Sequence, residues 1–276
     1  MTGPQLIQPT GFHLCLSGDW LVNAVSANVG DFLPCTAENA LGQPVTALLG
    51  DDAIHDIRNR MALLRTEEAV EHLLHVSLSD DAKPLDLSIF RDGNGYGIDA
   101  EPSDNHAFGD ATAIVDGMVA RMTADGDVAT IANEAARHLR ALTGFDRVLI
   151  VGDGEVIGKS IRPGQADHPL SERATKGGHL AVTDCIAEPV TILSSDRNKL
   201  SRSTLRVACD LEARCIESQQ ARAALLLPLL RTGQPWGQIA CYHGAARHVG
   251  VERRSVASLF ARFVALQLEL AELRAR

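Results

Sequence analysis

The chain has 276 residues, of which 45% are hydrophobic and 22% charged, so it can bury one large core or two ordinary ones. Its 26 basic and 35 acidic residues leave a formal charge of −9, and without a basic stripe this argues against nucleic-acid binding. No apolar run approaches the roughly 20 residues of a membrane span, and the first residues, MTGPQLIQPTG, lack a secretory signal pattern, so we expect a cytoplasmic protein.

The first hundred residues predict a small α+β domain. Its elements, in chain order, are strands at 11–16 and 20–28, a helix at 53–64, and strands at 69–78, 85–90 and 96–102. Asn28 is placed to cap a short helix that begins near Val29, and Asp51 and Asp52 suit the positive end of the longer helix. The turn Asp-Gly-Asn-Gly at 92–95 makes the last two strands a hairpin.

A polar stretch at 102–109 is the linker that the composition indicates. Two helices follow it, at 111–122 and 128–142, with Asp127 as the cap of the second helix and Gly144 at its end. The predicted organisation is a first domain over 1–104, a linker and connecting helix over 105–126, and a second domain over 127–276.

Two strand pairs dominate the second domain. FDRVLIV and GEVIGKSI are joined at Gly-Asp-Gly (152–154), and AALLLPLL and WGQIACY flank a second turn at 231–235. We expect one antiparallel sheet with helical cover and a crevice on one face, where a small molecule usually binds.

The last segment, VERRSVASLFARFVALQLELAELRAR, is the strongest helix prediction in the chain. One apolar stripe comprises Val256, Phe260, Phe263, Gln267 and Leu270, and a second, at seven-residue spacing, comprises Leu259, Leu266 and Leu273. One stripe can cover the chain's own sheet, whereas the second has no obvious cover, so it predicts a homodimer through this helix. The alternative is a single wide surface that faces the core.

Six short motifs follow one another along the chain: IQPTG (7–11), VSAN (25–28), TGFDRV (143–148), EPV (188–190), STLR (203–206) and WGQIAC (236–241). They resemble IQPHG, VSAN, TGFDRV, EPV, SVLR and WGLIAC of the PAS–GAF photosensory core of bacterial phytochromes. The resemblance covers nearly the whole chain. It implies a PAS domain followed by a GAF domain, with the N-terminal arm threaded through a GAF loop, in a divergent member without the PHY and kinase domains.

The resemblance also implies a bilin (biliverdin) pocket in the GAF domain. Such a ligand has two propionates and polar ring edges, so a buried site must supply cations and hydrogen-bond donors. Bacterial members attach the bilin through a Cys upstream of IQPHG, which the arm here lacks, and other members through a GAF Cys at the position of Leu211. Cys209 and Cys215 lie nearby, and each is either a ligand thiol or a structural thiol.

Two positions match ligand contacts of the family. Asp167, followed by His168, matches the Asp of the family's PASDIP motif, although it is equally well placed to cap the next helix. Arg206 matches a propionate-binding Arg, and its alternative is a surface ion pair with Asp210 or Glu212.

Other family contacts are replaced. Glu212 replaces a His, Cys215 replaces a Tyr, and Tyr242 replaces a His, with His243 as the following residue. Val182 replaces a second cation that binds a propionate, and Lys176 replaces a Tyr. Ala224 and Leu226 replace Ser residues. The pocket is therefore predicted not to match a conventional biliverdin, and any bilin should bind non-covalently or through an unusual Cys. The predicted ligand set is Asp167, His168, Arg206, Cys209, Glu212, Cys215, Tyr242 and His243.

Ten histidines and six cysteines leave haem as a rival ligand, with His168, His179 or His243 as its axial residue. No metal-site spacing, phosphate loop or nucleophile elbow stands out, so we expect neither a metal nor an enzyme. The leading hypothesis is a phytochrome-like sensory or regulatory protein that signals by protein contact. The alternatives are a ligand-free PAS–GAF scaffold for interaction or dimerisation and a protein that binds haem or a haem product.

Overall fold

The structure, a computed structural model, describes residues 5–67, 69–79, 83–104, 109–169, 179–194 and 202–275. The chain divides into two compact units, each built around one antiparallel sheet with helices, which confirms the predicted α+β class. The first unit contains Met1–Asn105 and Ala187–Val207, and the second contains His106–Ile186 and Ala208–Arg276.

The secondary structure comprises strands and helices with the following bounds. The strands are β1 (Leu6–Ile7), β2 (Phe12–Leu16), β3 (Val22–Ser26), β4 (Val70–Val76), β5 (Leu85–Asp92), β6 (Gly95–Pro102), β7 (Arg147–Gly152), β8 (Glu155–Ile161), β9 (Leu180–Val182), β10 (Val190–Ser194), β11 (Ala223–Arg231) and β12 (Gln234–His243). The helices are α1 (Ala37–Ala40), α2 (Asp51–Met61), α3 (Ala111–Val119), α4 (Val128–Thr143), α5 (Asp210–Ser218) and α6 (Val251–Arg274).

The first sheet has seven antiparallel strands in the order β1-β10-β3-β2-β6-β5-β4. Alternate residues of β2, such as Phe12 and Leu14, join the apolar core that α1 and α2 cover. The residues between them, His13 and Cys15, point to the other face and are buried as well. The alternation that predicted these strands is therefore confirmed, and both faces of the sheet are covered.

The predicted cap at Asn28 is wrong. A short 3-10 helix does begin at Val29, but the Asn28 side chain makes no cap hydrogen bond to it. Instead Asn28 Nδ2 donates to the backbone oxygen of Gly11 at 2.9 Å, because the backbone of Asn28 is not in the extended conformation that a capping residue needs.

The N-terminal arm is held by the segment that contains β10. Ile7 pairs with Val190 on one side and forms a bridge with Arg206 on the other. The arm thus lies between two limbs of the 187–207 segment, which agrees with the implied threading. The residues that would close this loop, 195–201, lie outside the described part of the chain.

The second sheet has five antiparallel strands in the order β8-β7-β12-β11-β9, and it confirms both predicted hairpins. Asp153 and Gly154 turn the first hairpin with φ of 48° and 83°, and Thr232 and Gly233 turn the second with φ of 49° and 78°. Two successive residues with positive φ form the turn whose twist matches that of paired strands. The Gly residues in these turns are the reason that both hairpins could be located from sequence.

Helices α3, α4 and α6 pack with one face of this sheet around a second apolar core. Asp127 caps α4 by accepting from the backbone N–H of Thr130 at 2.7 Å, and Gly144 ends it with φ of 68°, as predicted. Gly158 of β8 lets α4 approach closely, because a Cβ there would lie 2.4 Å from the Cβ of Ala132. Helix α3 ends at Val119, three residues earlier than predicted.

The predicted stripes of α6 are partly wrong. Its buried residues are Val251, Arg254, Val256, Ala257, Phe260, Ala261, Val264, Ala265, Leu268 and Ala271. Phe263 and Leu270, assigned to the core-facing stripe, are 37% and 51% exposed. They join the other predicted stripe, in which Leu259, Leu266 and Leu273 are 39%, 58% and 57% exposed.

Candidate functional site

Two rows of side chains occupy the sheet face that lies opposite the α4 and α6 core. One row is Val182, Ala224, Tyr242 and Arg147, and the next is Leu180, Leu226, Ala240 and Leu149. Directly paired residues on antiparallel strands point to the same face, so these rows define what we call the crevice face. All of them except Arg147 belong to one buried apolar cluster, which Ile216 of α5 also joins.

The middle of the crevice face is apolar and buried. Ala224 and Leu226, at the positions matched to Ser residues, are 1% and 0% exposed. Tyr242 is 1% exposed, and burial together with the neighbouring Cys215 raises the pKa of its phenol. Tyr242 therefore stays neutral at physiological pH and supplies one hydroxyl where the rest of the central strands supply apolar surface.

Arg147 is a buried cation on this face, and its guanidinium is hydrogen-bonded to protein groups. It is 4% exposed, and its Nη1 donates to the backbone oxygen of Ala166 at 3.2 Å while Nη2 donates to that of Gln219. Burial lowers its pKa from the ordinary value. The Gln219 amide in turn donates to the backbone oxygen of Pro169 at 3.0 Å. These two side chains hold the 166–169 segment beside the sheet.

Arg147 and Gln219 were missed by the sequence analysis. Arg147 is a charged residue at the start of the otherwise apolar run RVLIV, and that contrast was the available signal. Gln219 follows α5 and carried no signal, because only the tertiary structure brings it to residues 166–169.

Asp167 and His168 border a cavity of about 250 Å³. It is lined by Leu149, Val156, Lys159, Asp167, His168 and Pro169. The Asp167 carboxylate forms an ion pair with the Lys159 ammonium, and both side chains are about half exposed. The predicted capping role of Asp167 concerns a helix that begins at residues 169–170, and residues 170–178, with Lys176 among them, lie outside the described part of the chain.

Helix α5 carries three of the predicted ligand residues. Cys209 is exposed at the N-cap, and Glu212, 4% exposed, accepts from its backbone N–H at 2.9 Å. This contact is half of a capping box and explains why a Glu stands at the third helical position. Cys215 is 3% exposed in the middle of the helix. The Cys209 thiol is therefore accessible to solvent, whereas the Cys215 thiol is buried.

His243 lies at the end of β12, where its Nδ1 is 2.7 Å from a carboxylate oxygen of Asp146. Burial lowers the pKa of His243, while the Asp146 charge acts in the opposite direction. Asp146 also meets the Arg162 guanidinium at 3.2 Å and accepts from the Gly244 backbone N–H at 3.2 Å. His243 is therefore part of a polar cluster at the end of the sheet.

Arg206 belongs to the first compact unit. Its backbone bridges Ile7, and its carbonyl accepts from Gln8 Nε2 at 2.9 Å. Its guanidinium donates from Nη1 to the backbone oxygen of Val207 at 3.4 Å. The roles of all eight predicted ligand residues toward a cofactor stay predictions.

Comparison with known proteins decides the family. The PAS fold model matches residues 1–103 and the GAF domain model matches residues 127–268. The chain belongs to the GAF domain family and carries a PAS domain ahead of the GAF domain, which is the organisation of a phytochrome photosensory core. The exact boundaries predicted for the two domains and the linker between them stay predictions.

Curated relatives of this core are phytochromes. The phytochrome-like protein Cph1 of Synechocystis is 24% identical over 94% of this chain, and cyanobacterial phytochrome A of Nostoc is 24% identical over 96%. The chain spans 38% and 39% of their lengths.

Solved structures of bacteriophytochromes share the fold. The chromophore-binding domain of RpBphP3 from R. palustris superposes with a TM-score of 0.82 at 23% identity, covering 98% of this chain and 97% of that one. The photosensory core module of the Stigmatella aurantiaca phytochrome has a TM-score of 0.84 at 18% identity, covering 99% of this chain and 60% of that one.

The residues of the crevice face do not fit a conventional biliverdin. A ligand with two propionates needs cations or hydroxyls, yet the matched positions Val182, Ala224 and Leu226 are apolar and 0–4% exposed. The Arg147 guanidinium is committed to two backbone oxygens, and the Lys159 ammonium to Asp167. A buried propionate on this face would lose charged hydrogen bonds worth roughly 1.5–3 kcal/mol each.

Among the described residues, no group of three or more His, Cys, Asp or Glu side chains is arranged to hold a metal ion. None of the helices in the described part of the chain combines the length and the apolar character needed to span a bilayer.

Proposed function

We propose that this chain is a phytochrome-like regulatory module that passes its signal by protein contact, as a parallel homodimer along α6. The observation that supports it is the row of exposed apolar residues on that helix, which we call the α6 seam. Its members are Leu259, Phe263, Leu266, Leu270 and Leu273, between 37% and 58% exposed. The proposal assigns no catalysis to the chain.

The spacing of the seam fits a second copy of the same helix. The intervals of four, three, four and three residues are those of a and d positions in a heptad, where large apolar side chains interlock between two helices. Single exposed apolar residues are ordinary, whereas a continuous row along one helix is typical of an interface. In a parallel pair at this register, Glu269 of one copy would face Arg274 of the other, an attractive pairing that would compete with the 2.8 Å ion pair between Arg274 and Asp125.

The experiment is the mass in solution of purified protein, measured by sedimentation or light scattering at micromolar concentration. We expect a dimer, and we expect Leu266→Lys to give a monomer because two buried ammonium groups would face each other across the seam. Leu63→Lys is the matched control, since Leu63 is also about half exposed (45%) but lies outside the seam. A monomeric wild-type chain, or a dimer that survives Leu266→Lys, would reject the proposal.

Non-covalent binding of a tetrapyrrole is the second candidate. The observation that favours it is the cavity beside the crevice face, where apolar Leu149 and Val156 adjoin Lys159 and His168. Apolar surface with a few polar groups at its edge suits part of a tetrapyrrole ring system, with the propionates left outside the cavity. Known relatives of the same fold include a bacteriophytochrome chromophore-binding domain.

An absorption spectrum tests this second candidate. Biliverdin or haemin is added to the purified chain, and spectra are recorded before and after red light. A red band that changes on illumination would support a bilin sensor, and a Soret band would support haem. If neither band forms, the tetrapyrrole candidate is rejected and signalling by protein contact is the one proposed function left. Arg206→Ala should weaken tetrapyrrole binding if Arg206 holds a propionate, and unchanged binding would remove that role. The cytoplasmic location stays a prediction from sequence.

A further inference from the structure

The second face of the first sheet carries a buried row of polar side chains. Cross-strand pairing aligns Ser88 of β5, Asp99 of β6 and His13 of β2, and the His13 backbone N–H donates to the hydroxyl of Ser26 of β3 at 3.0 Å. All four are 0% exposed. Polar groups that are removed from water need hydrogen-bond partners, so the partners of this row show which part of the chain it binds.

The partners of Asp99 come mainly from outside the sheet. Its Oδ1 is 2.7 Å from His13 Nδ1 and accepts from the Ser203 hydroxyl at 3.1 Å. Its Oδ2 accepts from the Thr204 backbone N–H at 2.6 Å and lies 3.1 Å from the Thr204 hydroxyl. One fully buried carboxylate therefore binds two consecutive residues of the segment that returns from β10.

The Thr204 hydroxyl is shared between two carboxyl groups. It lies 3.1 Å from Asp99 Oδ2 and 2.9 Å from Glu101 Oε1, yet a hydroxyl has a single proton to donate. The Thr204 amide and the Ser203 hydroxyl are hence the donors that Asp99 can rely on. Glu101 is 2% exposed and lies two residues along β6, so the same strand supplies both contacts.

The held segment in turn holds the N-terminal arm. The Gln8 backbone N–H donates to the Leu205 oxygen at 2.7 Å, and Gln8 Nε2 donates to the Arg206 oxygen at 2.9 Å. Leu205 and Ile7 pack in one small apolar cluster, at 1% and 0% exposure. Contacts therefore lead from Asp99 to residues 203–206 and from there to one side of the arm, whose other side pairs with β10.

We propose that the Asp99 carboxylate is a latch that keeps residues 203–206 and the N-terminal arm on the first sheet. Neutralising the latch releases residues 203–206 and their contacts with the arm, while the sheet, including the pairing of the arm with β10, stays folded. This device concerns the first unit alone, and it does not depend on the α6 seam or on any tetrapyrrole.

Asp99→Asn is the variant that opens the latch. It keeps the shape of the side chain, but its amide nitrogen would face either the Thr204 N–H or the donors at Oδ1, and a donor cannot accept. The readout is hydrogen–deuterium exchange of the Gln8 amide, which does not touch Asp99 and so reports release rather than the lost bond itself. Hydrogen bonds to a charged group suggest about 10- to 100-fold faster exchange.

Asp86→Asn is the matched control. Asp86 is a second carboxylate of the same sheet, 3% exposed, and its Oδ1 accepts from the Ser103 hydroxyl and from the His75 backbone N–H. It should leave exchange at Gln8 within about 3-fold of wild type. Equal acceleration in both variants would overturn the latch, because it would reflect a general loosening of the sheet. No acceleration in Asp99→Asn would also overturn it, because the Leu205 contact would then hold the segment by itself.

A second variant covers failure of Asp99→Asn to fold. Ser203→Ala combined with Thr204→Val removes two hydroxyl donors from the segment and leaves the Asp99 contact with His13 in place. The Thr204 backbone N–H still donates to Asp99 in this double variant, so we expect a smaller acceleration at Gln8, about 3- to 10-fold. Unchanged exchange overturns the latch, because the Ser203 hydroxyl is one of the two donors on which it relies.

Discussion

The substitution Leu226→Ser puts a hydroxyl back on the crevice face at a position where the resemblance expects one. Leu226 is 0% exposed, and its cross-strand neighbours are Leu180 and Ala240. Losing a buried Leu side chain to a small residue costs about 2–5 kcal/mol. A buried hydroxyl without a partner adds roughly 1–3 kcal/mol. We therefore expect the variant to lose at least about 3 kcal/mol, a large part of a typical domain's stability.

The assay is urea unfolding followed by tryptophan fluorescence. Trp20 lies in the first unit and Trp236 in the second, so a Trp20→Phe background makes the signal report the second unit. Leu230→Ser on the same strand is the matched control, since Leu230 is 41% exposed, and it should cost less than about 1 kcal/mol. If Leu226→Ser costs no more than the control, the crevice face is not a packed apolar surface and our argument against a conventional bilin fails.

Three further predictions concern single groups. Burial raises the pKa of the Cys241 thiol to about 12, so alkylation at pH 8 should modify exposed Cys209 first and Cys241 only after denaturation; early modification of Cys241 would contradict its burial. Burial lowers the pKa of His243 below 6.5, so its contribution to stability is complete above pH 6.5 and is lost as the pH falls toward the lowered pKa. Urea unfolding should therefore show that the free energy of unfolding falls less between pH 7.5 and pH 5.5 in His243→Gln than in wild type. An equal fall in both proteins would refute this. Gly158→Ala should destabilise the second unit by about 1–3 kcal/mol, because the new Cβ would lie 2.4 Å from that of Ala132; a thermal melt that does not change would refute it.

Helix α6 shows why its faces were hard to assign from sequence. The prediction gave weight to the large apolar residues and placed Phe263 in the core stripe. In the structure Ala257, Ala261 and Ala265 face the core, at 0%, 2% and 4% exposure. These small side chains allow the helix to pack closely around buried Phe260 and Leu268, while Phe263 and four leucines are left on the outer surface. Periodicity alone does not show which of these two faces packs against the core.

Local patterns were sufficient for the hairpins and the cap of α4, because turn residues and Asp127 act on their immediate neighbours. They were insufficient for β10, whose pairing partner β3 lies more than 150 residues earlier in the chain. The candidate site shows the same limit. The motifs located the crevice strands, but the contacts of Arg147 and the latch around Asp99 join residues that are distant in sequence.

Cross-linking through the α6 seam tests the proposed mode of action most directly. The spacing of the seam places Leu266 at a d position, and in a parallel pair of helices each d residue lies beside the same residue of the other copy. Leu266→Cys should therefore form an intermolecular disulfide under mild oxidation. The background carries Cys185→Ser and Cys209→Ser, which removes the two exposed thiols, and Leu230→Cys serves as the off-seam control. We predict a covalent dimer with Leu266→Cys and none with Leu230→Cys. Absence of the dimer, or equal cross-linking at both positions, would contradict self-association along α6.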